Sequence, residues 1–99
     1  MKKIKKYVDM IKDEIESAEE YAEKYVESKA MGETSYAEKY KLFAQQELDH
    51  AMFVHNLAEV FIDKVSKVIT PPADMKEKWE SAHIECVSKV DEIKAMIAK

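Results

Sequence analysis

Residues 35–68 read SYAEKYKLFAQQELDHAMFVHNLAEVFIDKVSKV, an uninterrupted run without glycine or proline. Within it Tyr36, Tyr40, Phe43, Glu47, His50, Val54, Leu57 and Phe61 recur at alternating four- and three-residue steps. That spacing is one stripe of an α-helix that faces other helices. Six of the eight are apolar or aromatic, while Glu47 and His50, one turn apart, are not. A carboxylate and an imidazole in such a seam cost several kcal/mol unless something pairs with them. A metal ion is one partner able to satisfy both.

The flanking sequence supplies two more helices. Ile4, Val8, Ile11, Ile15, Ala18, Ala22 and Tyr25 form a heptad-like stripe, predicting a first helix over about residues 3–29. Gly32 suits the left-handed position that ends a helix, and Thr34 or Ser35 is placed to cap the next one. The second helix, about 35–68, ends at Thr70-Pro71-Pro72, because proline cannot donate a helical hydrogen bond. Met75, Trp79, Ala82, Cys86, Val90, Ile93 and Ile97 share one face of a third helix over about 74–98. Three long helices with short turns predict a single all-α domain over 1–99, a three-helix up-down-up antiparallel bundle.

Composition narrows the function. The net charge is −4 with lysines and glutamates interleaved, so no face collects the positive charge that nucleic acid requires. No stretch approaches the roughly 18 apolar residues of a membrane span, and no apolar run follows the basic start. One cysteine, Cys86, offers no intrachain disulfide and suits a reducing cytosol. The expectation is a cytoplasmic helical protein. At 99 residues its core is modest, and chains of this size often lean on a metal or a partner subunit.

Glu47 and His50 need further ligands. With helices 1 and 2 antiparallel about residues 31–32, positions 47–50 stand level with 13–16. Glu16 lies in that window, and Glu19, one turn on, is the alternative. Glu and His at i and i+3 project from one face, and a mixed carboxylate–imidazole set favours iron, manganese or zinc over calcium.

Glu47-Leu48-Asp49-His50-Ala51 resembles the ExxHA motif on the second helix of ferritin-like di-iron proteins, especially rubrerythrins. The segment from Glu16-Ser17-Ala18 through Tyr25 to Ser28-Lys29-Ala30 is similar to the first rubrerythrin helix, whose ligand glutamate opens an E-S segment. The likeness covers about residues 12–55, and the spacing from Glu16 to Glu47 is close to that of encapsulated ferritins. It implies a ferritin-like half-bundle completed by dimerisation. It also implies a di-iron ferroxidase site built from two half-sites, with Glu16, Glu47 and His50 as this chain's share. Two features depart from that family: residues 91–99 do not resemble its cargo peptide, so no shell partner is indicated, and helix 3 is longer and more amphipathic.

Helix 3 carries a second Glu-x-x-His, at Glu80 and His83. A turn at Pro71-Pro72 would set residues 93–96 level with 47–50, leaving this pair about thirteen residues, roughly 20 Å, from the first motif. Such a pair reads first as part of an amphipathic surface, and second as a contribution to another site. His55 lies off the main stripe and reads as surface or interface. Tyr21, Tyr25, Tyr36 and Tyr40 read as packing or as aromatic lining of a metal centre, Trp79 and the methionines as filler, and Cys86 as inert. Iron oxidation or storage in a homodimer or larger homo-oligomer is therefore one expectation. A metal-free helical assembly or adaptor module is the other.

Overall fold

The structure, a computed structural model, describes residues 2–70 and 72–99 and contains three helices and no strand among them. Helix α1 spans Lys2–Ala30, α2 Thr34–Val68 and α3 Ala73–Ala98. The molecule is a rod of 55 × 18 × 17 Å, its long axis set by α2, which extends about 50 Å at 1.5 Å per residue.

The first turn is made by the backbone. Gly32 sits at φ 75°, Glu33 N–H donates to the Ser28 carbonyl at 2.9 Å, and Gly32 N–H donates to that of Lys29 at 3.1 Å. This pair of bonds is the Schellman closure, which needs the left-handed position that glycine adopts freely. Neither Thr34 nor Ser35 caps α2: Glu33 occupies the cap position and no side chain bonds there. The closing bonds already turn the chain, and Ala37 N–H reaches back to the Glu33 carbonyl at 3.0 Å. At the second turn Ile69 is extended and Pro72 (φ −56°, ψ 142°) precedes α3. Pro71, part of the predicted stop, lies outside the described residues.

Contacts run in opposite order along α1 and α2: Tyr7 meets Phe61, Glu14 meets His50, and Tyr21 meets Phe43 and Tyr40. Along α1 and α3 they run in the same order, Glu19 to Lys89 and Lys29 to the Lys99 carbonyl. Helix α3 leans chiefly on α1 and touches α2 little.

The core faces of α1 and α3 are those their apolar spacing predicts, with Val8 and Ala82 half-buried at the edges. That of α2 is not. Its buried line is Ala37, Ala44, Leu48, Ala51, His55 and Ala58, with Val54 beside it. Each of these six follows a member of the aromatic stripe by one residue, which is a turn of about 100° around the helix. Tyr36, Phe43 and Leu57, expected inside, are exposed. Side-chain size explains the difference. Ala18 and Ala22 of α1, like Ala44, Ala51 and Ala58 of α2, lose all solvent contact. Small side chains let two helices pack closely, whereas a seam of tyrosine and phenylalanine would hold them apart.

Candidate metal centre

Rotation of α2 carries Glu47 and His50 from the seam to its flank. Side-chain exposure is 23% for Glu47 and 60% for His50, so the expectation that both are buried does not hold. They nevertheless gather a third group. His50 Nδ1 stands 3.6 Å from Glu14 Oε2 and 3.7 Å from Glu47 Oε1. One ligand atom from each of the three lies within 4.8 Å of the others. The Glu14 carboxyl beside Glu47, together with partial burial, pushes the Glu47 pKa above the ordinary carboxylate value, with His50 pulling the other way. Two acids held this close repel when ionised, and a divalent cation reverses that penalty. Ligands bonded to one ion at about 2.1 Å stand roughly 3.0–3.4 Å apart, so small side-chain rotations bring this trio into a coordination shell.

The acid that α1 provides is thus Glu14, within the level window 13–16, and not Glu16 or Glu19. Tyr7, Glu14 and Tyr21 follow one another at seven-residue steps down the side of α1 that meets α2. Glu16 is exposed on the side toward α3, and Glu19 pairs with Lys89 at 3.1 Å. That contact raises the Lys89 pKa. The seven-residue phase with Tyr7 and Tyr21 is the signal in the sequence that singles out Glu14.

Toward the first turn, about one to two helical turns from the trio, aromatic rings cluster between α1 and α2. Tyr21 lies 5.4 Å from Phe43 and 6.4 Å from Tyr40, ring centre to ring centre. Around α2 the flank bearing His50 continues as exposed Tyr36, Phe43, Phe53, Leu57 and Val60. The three groups therefore sit among exposed apolar residues that no described residue of the chain covers, with exposed Lys39 and Gln46 on the same flank.

The second Glu-x-x-His does not act as a pair. Glu80 is exposed, while half-buried His83 turns across to α2, its Nδ1 2.6 Å from Nε2 of His55. His55, expected at the surface or an interface, is buried. Because His83 stands level with His55, residues near 88–91 of α3 fall beside 47–50 in place of 93–96. Ile69 and Pro72 are extended, and extended residues cover more distance than helical ones, which lets α3 start farther back along α2. Cys86 is buried, and its thiol pKa is pushed up by that burial, which leaves it a poor nucleophile. No helix among the described residues is long and apolar enough to cross a membrane. None of the protein families, curated proteins or solved structures compared with the chain matches it.

Proposed function

We propose that this chain is a metal-binding protein of ferritin-like type, an up-down-up bundle whose Glu14, Glu47 and His50 form one half of a two-metal site. The observation that carries the reading is the placement of these three ligands in a strip of uncovered apolar residues. Three protein groups leave coordination positions open, and the open side coincides with the surface that a second copy would bury. A two-fold axis near His50 would bring the same strip of a partner against it, since a two-fold interface is self-complementary. The opposite contact order along α1 and α2, and the matching order along α1 and α3, support the up-down-up arrangement.

Glu14 and Glu47 would supply the negative charge that holds the metals, and His50 the nitrogen donor. Tyr21, Tyr40 and Phe43 would restrict water on the side toward the first turn. Iron bound there supplies electron transfer to dioxygen or peroxide, the chemistry of ferroxidases; manganese or zinc fits the same ligand types. A metal-free adaptor is the second reading, favoured by the 60% exposure of His50, since the apolar strip alone can drive assembly.

Ferrous iron added anaerobically to chelator-treated protein tests this, with mass followed by sedimentation. Iron is expected to shift the wild-type chain toward dimer, and to leave Glu47→Ala/His50→Ala a monomer, with a smaller rise in melting temperature in the variant than in the wild type. Dimerisation that is identical in chelator and in iron, for both proteins, refutes the metal reading and leaves the adaptor.

A further inference from the structure

A second cluster of metal-ligating groups lies on the opposite side of α2, where α3 comes nearest. His55 is only 8% exposed, and its Nε2 meets Nδ1 of His83 at 2.6 Å. Glu59, one turn beyond His55, places Oε1 3.6 Å from the same Nε2. A ligand atom from each of His55, Glu59 and His83 lies within 4.8 Å of the other two. The groups facing His55 otherwise are the Trp79 ring, stacked on it at 5.3 Å, and a cavity of about 250 Å³.

Packing gives an incomplete account of this arrangement. Nδ1 of His55 has no hydrogen-bond partner, and an ion held by Nε2 would leave it so; the atom that bears on a ligand is Nε2, which faces both His83 and Glu59. Its Nε2 is spent on another imidazole. Two neutral imidazoles in contact share one proton between two nitrogens, a modest gain for burying so much polar surface. The cluster also occupies the one place where side chains of α2 and α3 hydrogen-bond among the described residues.

We propose that His55, Glu59 and His83 form a mononuclear site for a divalent transition-metal ion, linking α2 to α3. Two imidazole nitrogens and one carboxylate oxygen select ferrous iron, cobalt, nickel or zinc over magnesium or calcium, which take oxygen ligands. His55 and Glu59 at i and i+4 share a face of α2, and His83 closes the set from the other helix. Tetrahedral bonds of about 2.05 Å put ligand nitrogens roughly 3.3 Å apart, so the two nitrogens must move apart by less than about 1 Å and the rings, whose centres now stand 4.8 Å apart, must tilt to aim both lone pairs at the ion. The slight contact of α3 with α2 elsewhere permits that movement. The adjoining cavity, walled by Ile11, Ile15, Trp79 and Cys86, leaves room for a water or small anion as fourth ligand.

This inference does not depend on the half-site at Glu14, Glu47 and His50, and its test removes that site. Chelator-treated Glu47→Ala/His50→Ala chain is titrated with Co²⁺, read by visible absorption and calorimetry. One equivalent is expected to bind with the intense bands of a four- or five-coordinate ion. His83→Asn in the same background is expected to weaken binding at least about 100-fold, more than the loss of a hydrogen bond behind a ligand costs. Should His83→Asn lower helicity by circular dichroism, Glu59→Gln on the exposed rim gives the same reading without touching the core. Absence of stoichiometric Co²⁺ binding in the background protein overturns the proposal, as does unchanged affinity in the folded ligand variants.

Discussion

Replacing Glu47 by glutamine separates the stability of the fold from its capacity to hold a cation. In the metal-free chain Glu47 stands with its ligand oxygen within 4.8 Å of that of Glu14. Two unit charges at that separation repel by about 0.9 kcal/mol in water and about 3.5 kcal/mol at an effective dielectric of 20. The Glu14 and Glu47 side chains are 30% and 23% exposed, so solvent screens them only in part and the figure lies between these bounds, at least about 1 kcal/mol. Glu47→Gln removes the repulsion while keeping the shape, so the metal-free variant is expected to melt at least about 5 °C above the wild type at pH 7. The raised Glu47 pKa fixes the pH dependence. The folded chain binds this proton more tightly than the unfolded one, so wild-type stability rises as pH falls through the folded pKa. The gap between variant and wild type should accordingly close on acidification. Ferrous iron should reverse the ranking at neutral pH, stabilising the wild type more than the variant. Scanning calorimetry from pH 7 to pH 4, with and without metal, measures all three. A metal-free variant less stable than the wild type, or stabilised equally by iron, would refute the reasoning.

Two further perturbations probe the frame. Gly32→Ala places a side chain at φ 75°; nothing lies near the added methyl group, so backbone strain alone should cost about 1 kcal/mol, measured by urea unfolding. Ala51→Leu forces three more heavy atoms into a position with no solvent contact, and should destabilise by about 1–3 kcal/mol in the same assay, whereas Leu57→Ala on the exposed strip should change the monomer little.

The two outer helices were legible from hydrophobic spacing because their bulky residues are the ones that go inside. Ile4, Ile11 and Ile15 in α1, and Trp79, Val90 and Ile93 in α3, advertise their faces. In α2 the large apolar groups and the buried groups part company by one residue, and a reading weighted by hydrophobicity follows Phe43 over Ala44. The same rotation decided the site. The turn at Gly32 is enough to put positions 13–16 beside 47–50, but the choice within that window depends on which side of α1 meets α2, and Glu14 shares that side with Tyr7 and Tyr21. His83 joining His55 was not legible at all, because the level of α3 depends on the link between α2 and α3. No periodicity in the helices encodes the length of that link.

The alanine seam between α1 and α2 has a mechanical consequence. Each alanine removes little area from water, so no single plug secures the hairpin; cohesion accumulates turn by turn along its length. Such a joint behaves like a long zip fastener. Trimming its open end, near Ile4 and Ala58, should lower resistance to unfolding in small, even steps, with no abrupt collapse until few teeth remain.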